Sequence, residues 1–114
     1  MYTKYIPDCY WNSISNGYQI SHEAICVLNT TNTDAHIELT LYFEDREKMT
    51  GFKVDCGAER TIHIRMDQLV NDKGETVPQD VPYATKLESN VEISVQYSRV
   101  DTSQKEYAFG TTIC

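Results

Sequence analysis

Nine consecutive residues, Ala35-His-Ile-Glu-Leu-Thr-Leu-Tyr-Phe43, alternate without a break. Ala35, Ile37, Leu39, Leu41 and Phe43 fall on one side, and His36, Glu38, Thr40 and Tyr42 on the other. Period-two alternation of this length predicts a strand with one face on a core. The stretch Asn29–Asp34 before it is rich in side chains that satisfy turn backbones. Ahead of that turn, Ala24-Ile-Cys-Val-Leu28 is apolar throughout, as expected of a strand covered on both faces or lying at a subunit interface. Alternation returns at Phe52–Cys56, closed by Gly57, at Thr61–Met66 and at Val91–Ser98. Shorter strands are predicted over Tyr5–Trp11, Tyr18–Glu23, Tyr83–Leu87 and Tyr107–Ile113. Asp67–Val70 reads as one helical turn, and 71–82 and 101–106 as polar loops. The pattern predicts an all-β fold, a sandwich of about eight short, mostly antiparallel strands.

Nothing divides the chain: there is no repeat, low-complexity tract or linker, and its 114 residues suit one domain spanning 1–114. Eight tyrosines, with many Thr, Val and Ile, fit a pleated, half-buried surface. The net charge of −7, with ten basic residues scattered among seventeen acidic ones, makes no footprint for nucleic acid, so no nucleic-acid partner is expected. The same acidity argues against anionic membrane surfaces. No apolar run approaches a membrane span, and Met1–Trp11 lacks the features of a secretory signal, so a cytoplasmic protein without membrane insertion is expected. Cys9, Cys26, Cys56 and Cys114 form no C-x-x-C pair and are read as free thiols, with Cys26 and Cys56 packed in apolar segments.

Catalytic motifs are absent: there is no G-x-S-x-G elbow, phosphate-binding glycine loop or H-E-x-x-H. Ser21-His-Glu23 cannot form a triad, because neighbours on a strand point to opposite faces. His22, His36 and His63 lie on different segments without ligand spacing, and Arg65 stands two residues from His63, so no metal and no cofactor are expected. Arg60-Thr-Ile-His-Ile-Arg65 places Thr61, His63 and Arg65 on one face, with His63 and Arg65 about 7 Å apart. Two readings of this stripe stay open: a grip on carboxylate, phosphate or sugar hydroxyls, or pairing with the protein's own carboxylates. Trp11, the single tryptophan, is either a stacking face for a sugar ring or a core anchor.

Several segments together resemble the sensory rhodopsin transducer family of small soluble proteins. They are Ile20-Ser-His-Glu-Ala-Ile-Cys-Val-Leu-Asn29, Asp34–Glu38, Arg60-Thr61 with His63-Ile-Arg65, and Ser89-Asn-Val91 followed by Val95-Gln96, Arg99 and Asp101. The likeness runs in order from about Cys9 to the C-terminus. It implies a β-sandwich assembled as a homotetramer, with a non-enzymatic role in binding and signalling and no catalytic residues. The implied ligand is small and polar, such as a sugar or sugar acid, and the alternative is a protein signalling partner such as a membrane photoreceptor. The chain departs from the family in a proline-poorer 71–81 loop and in lacking the extra tail of the rhodopsin-coupled member. Carried over by position, the candidate ligand-binding residues are Trp11, Ser21, His22, Glu23, Arg60, His63, Arg65, Gln96 and Arg99. The expected pocket joins Arg65 and His63 to Glu23 or Gln96, and if Ile25 or Val27 lies in the tetramer interface, its replacement by Asp is expected to give monomers or no folded protein.

Overall fold

The computed structural model describes the backbone of residues 1–13, 22–101 and 108–113, and the side chains of residues 1–13 and 23–98. Eight strands are described: β1 (Tyr2–Cys9), β2 (His22–Asn29), β3 (Ala35–Phe43), β4 (Met49–Cys56), β5 (Arg60–Arg65), β6 (Tyr83–Ser89), β7 (Ser94–Asp101) and β8 (Ala108–Ile113). They form two four-stranded sheets, ordered β1-β6-β3-β4 and β5-β2-β7-β8, with antiparallel pairing throughout. The inner faces share one core, in which Ile6, Leu39, Leu41, Phe52 and Leu87 of the first sheet meet Ile25, Val27, Ile64, Val95 and Tyr97 of the second. The all-β sandwich expected from the alternation is the architecture observed.

Some elements differ from the sequence reading. The strand expected over Tyr18–Glu23 and the one over Ala24–Leu28 meet in β2, which starts at His22; residues 18–21 lie outside the described residues. The helical turn is a 3-10 turn over Met66–Gln68, one residue earlier than expected, because Met66 is drawn fully into the core. The loop after it is organised by Asn71. Its Oδ1 accepts from the backbone N–H groups of Lys73 (3.1 Å) and Glu75 (2.8 Å), while its Nδ2 donates to the Thr50 carbonyl (3.1 Å). At that junction Thr50 and Gly51 together oppose Thr40, making a bulge in the β3–β4 ladder. Gly51 has φ +84, a left-handed backbone conformation that strains any residue with a Cβ and so favours glycine.

Within the single chain β2 is covered on one face only, which removes the first of the two readings of its apolar run, burial on both faces inside one subunit. Glu23, Ile25, Val27 and Asn29 are buried inward, whereas Ala24 and Cys26 are half-buried and Leu28 is 46% exposed on the outer face. Ile25 and Val27 therefore belong to the subunit's own core, and substituting them would report on folding rather than assembly. Cys26 is only half-buried; among the described residues Cys9 and Cys56 are the fully buried thiols, and burial pushes that of Cys56 above its ordinary value.

The inward positions of β2 carry two polar side chains that fasten the sandwich. Asn29 sits where the chain changes sheet twice, after β2 and after β4. Its Nδ2 donates to the carbonyls of Thr33 (2.8 Å), Cys56 (3.2 Å) and Gly57 (3.2 Å), and its Oδ1 accepts from the Thr31 N–H (3.0 Å) and hydroxyl (2.7 Å). At the other end, the fully buried Glu23 carboxylate accepts hydrogen bonds from the hydroxyls of Tyr83 on β6 and Tyr97 on β7. The Tyr10 N–H approaches both Glu23 Oε2 and the Tyr97 hydroxyl oxygen at 3.1 Å. One carboxylate thus joins both sheets and the segment after β1, in a region where an unmade hydrogen bond is costly.

Two consequences are measurable. Asn29→Asp keeps the acceptor for Thr31 but turns a carboxylate oxygen toward three carbonyls, so it should destabilise by about 2–4 kcal/mol in urea unfolding. A loss below about 0.5 kcal/mol would contradict this clamp. Burial and then the charge of Glu23 push the Tyr83 and Tyr97 hydroxyls well above the ordinary value of 10.0. The unfolded chain ionises them near that value while the folded chain retains both protons. Their stabilising effect is therefore complete below about pH 10 and is lost above it, at about 1.4 kcal/mol per pH unit for each tyrosine. Tyr83→Phe should cut the fall in stability between about pH 10 and 11.5 by about one such contribution, and an unchanged slope would contradict the burial of this hydroxyl.

Candidate functional site

The outer faces of the two sheets differ in kind. On the first sheet, outward side chains pair with one another. His36 Nδ1 lies 2.9 Å from Asp55, Lys86 Nζ lies 3.2 Å from Glu88, and the Lys86 ammonium stands 5.9 Å from the Tyr42 ring centroid. Glu38 faces Lys53 across the β3–β4 ladder. This is a solvated face whose charges answer each other.

On the second sheet the three strands β5, β2 and β7 lie side by side, and register sets the outward residues in rows. Thr61, Leu28 and Ser94 form one row, His63, Cys26 and Gln96 the next, and Arg65, Ala24 and Ser98 a third. The first two rows line an open concavity of about 330 Å³, with backbone of Val27 and Val95 between them. That volume lies at the small end of the range of about 300–1,000 Å³ for small-molecule sites. Its middle strip is apolar, from Cys26 and Leu28, and polar side chains stand on either side. Thr61 donates its hydroxyl to the Val27 carbonyl (2.9 Å), which leaves its oxygen lone pairs outward as acceptors. Among the described residues, the His63 ring, the Gln96 amide and the Ser94 hydroxyl make no side-chain hydrogen bond. Their donors and acceptors remain available.

The expected site residues separate accordingly. His63 and Gln96 share this concavity, flanking Cys26. Arg65 stands one row beyond it, held by Asp67 in a two-pronged pair at 2.7 and 2.6 Å that keeps the guanidinium above its ordinary value. Of the two partners expected for His63 and Arg65, Gln96 shares their face, whereas Glu23 does not meet them, because it points from the opposite face of β2 into the core. Arg60 is opposite the inward Asn29 in register, so it too lies off the face of His63, exposed at the end of β5. Trp11 is half-buried against the core, and its carbonyl accepts from the Asp80 N–H (2.7 Å). It does not line the concavity. Ser21 lies outside the described residues, as do the side chains of His22 and Arg99; register pairs the Arg99 backbone with Glu23.

Sequence reasoning missed Cys26, Leu28 and Ser94 as lining residues, and put Thr61 on the polar stripe with His63 without carrying it into the candidate set. The alternation did put Thr61 on the His63 face and Ser94 on the Gln96 face. What it lacked was the strand order that brings β5 and β7 to either side of β2. The tyrosines around Glu23 were missed for the same reason: Tyr83 and Tyr97 are 60 and 74 residues away in the chain.

Two further clefts lie at the end of the first sheet. One is bounded by Pro7, Phe43, Pro82 and Tyr83 and the other by Asp45, Arg46 and Asp80. Arg46 there is engaged with Asp45 at 3.1 Å and stands over the Phe43 ring at 5.5 Å. Among the described residues, no group of three or more His, Cys, Asp or Glu is placed to hold a metal, and no helix is long and apolar enough to cross a membrane.

The fold and several of its sequence segments have known counterparts. The family model described as Anabaena sensory rhodopsin transducer matches residues 2–114. The crystal structure of Thermotoga maritima 1070 is similar with a TM-score of 0.86 and 32% identity, covering 97% of this chain and 90% of that one. The Anabaena sensory rhodopsin transducer itself is similar with a TM-score of 0.76 and 35% identity, covering 90% of each chain. No curated protein matches the chain. A family match over nearly the whole length, joined to these two structural likenesses, places the chain in the Anabaena sensory rhodopsin transducer family.

Proposed function

We propose that this protein is a non-enzymatic small-molecule binding and sensing module that works in the cytoplasm as a homotetramer. It takes a small polar ligand, such as a sugar or sugar acid, on the outer face of the second sheet. The observation that carries this reading is the concavity in which His63 and Gln96 flank Cys26 with their hydrogen-bonding groups unengaged by described residues. The outer face of the first sheet has a concavity of similar size, about 360 Å³, but its polar lining is already engaged: His36 pairs with Asp55, and Glu38 faces Lys53. Binding without turnover is favoured because Glu23 and His63, the acid and base an enzyme would recruit, stand on opposite faces of the sheet. General acid–base work needs both groups within reach of one reacting centre.

A second reading has its own support. Leu28 is 46% exposed on the same face, and the Anabaena relative is named as a transducer of a sensory rhodopsin. On that reading the face docks a protein partner such as a membrane photoreceptor, and the protein is a signalling adaptor.

The two readings separate in a thermal-shift screen against sugars and sugar acids. A ligand at 100 times its Kd adds about 2.7 kcal/mol of stability. His63→Ala and Gln96→Ala should each weaken the stabilisation by a hit at least about tenfold in Kd, with unliganded stability changing by less than about 0.5 kcal/mol, as expected at surface positions. A screen without hits, or hits indifferent to both substitutions, would remove this site and leave the adaptor. Sedimentation in the same buffer should give a species four times 13.1 kDa. A 13.1 kDa species alone at micromolar concentration would end the tetramer proposal.

A further inference from the structure

We infer that the ligand is uncharged: a neutral polyhydroxylated ring with one apolar face, not a sugar acid or a phosphorylated sugar. The inference rests on the binding site proposed above and narrows what it takes. Cys26 and Leu28 make an apolar floor along β2, with Thr61 and His63 of β5 on one side and Ser94 and Gln96 of β7 on the other. The flanking strands run about 10 Å apart, two strand spacings, so their side chains rise as polar rails on both sides of the floor. A saturated sugar ring has the matching form, with C–H groups on its face and hydroxyls around its edge. The face removes apolar surface from water against Leu28 and Cys26, and the edge hydroxyls exchange hydrogen bonds with the rails. Those rails offer both kinds of partner. Gln96 and Ser94 donate and accept, the His63 ring does either according to tautomer, and Thr61, its proton committed to Val27, accepts.

No fixed positive charge lines this surface among the described residues. The nearest guanidinium on the same face, Arg65, is one row away and already neutralised by Asp67 at 2.6 Å. Arg60 stands off this face, at the end of its strand. An anionic ligand would thus lose hydration without gaining a counter-charge, on a protein whose net charge is −7. A neutral ring meets neither penalty.

Titration calorimetry on the full chain tests this with matched pairs: the methyl glycosides of glucose, galactose and mannose against the corresponding uronic acids, plus ribose against ribose 5-phosphate. At least one neutral member should bind at least tenfold more tightly than its anionic counterpart. The exposed position of Leu28 allows a charge to be added without disturbing the core, and Leu28→Lys should reverse that preference by weakening the neutral sugar and admitting the acid. Uronic acids or ribose 5-phosphate binding as tightly as the neutral partners, with loss of binding in Gln96→Ala, would overturn the uncharged ligand while leaving the site in place. No binding by any member of either series would overturn both the uncharged ligand and the site.

Discussion

A carboxylate buried between two sheets is the constraint around which this molecule is arranged. Glu23 lies fully inside, and the Tyr83 and Tyr97 hydroxyls and the Tyr10 N–H converge on it. An interior carboxylate demands donors, and here they come from β6, β7 and the segment after β1, so its position ties together strands distant in sequence. Strand alternation then leaves no freedom in the rest of β2. With Glu23 inward, Ile25, Val27 and Asn29 must also be inward, and Ala24, Cys26 and Leu28 must be outward. A slip of one residue would exchange the two sets and bury Cys26 and Leu28 in place of the carboxylate and the crossover clamp.

The same alternation explains why structural and proposed binding roles occupy opposite sides of one strand. The inner side of β2 carries polar groups whose hydrogen bonds are made within the fold. The outer side carries an apolar strip bordered by polar groups whose bonding capacity is open to a ligand. The outer face of the first sheet settles its charges by pairing across strands, as His36 does with Asp55, and along a strand, as Lys86 does with Glu88. The two sheets of this family member thus present dissimilar outer faces, one with its charges paired and one with an apolar strip between polar rails.

Much of the fold was legible along the chain because period-two alternation reports burial residue by residue. The faces of β3, β4 and β5 follow directly from it. In β2, Ala24, Cys26 and Leu28 are apolar yet outward, and composition alone cannot separate a face covered within the chain from one that the chain leaves uncovered. The candidate site was legible only in part. His63 and Gln96 stand on the same face as expected, but joining them to Glu23 required knowing which way β2 points, and the conspicuous charge of Glu23 suggested a surface role. The two-residue spacing of His63 and Arg65 correctly gave a shared face, whereas Asp67, only two residues further on, removes the arginine's charge from play. Position along one strand could be read; which strands become neighbours is decided by long-range packing.

The account stands most directly on the claim that Glu23 braces the two sheets through its tyrosine partners. A double-mutant cycle in urea unfolding at neutral pH, built from Glu23→Gln, Tyr97→Phe and the pair, measures that interaction without any ligand. Each single change should destabilise by about 1–3 kcal/mol, and the coupling between them should reach at least about 1 kcal/mol. Additive losses, with coupling below about 0.3 kcal/mol, would mean that the carboxylate and the hydroxyl do not support each other, and would contradict the account.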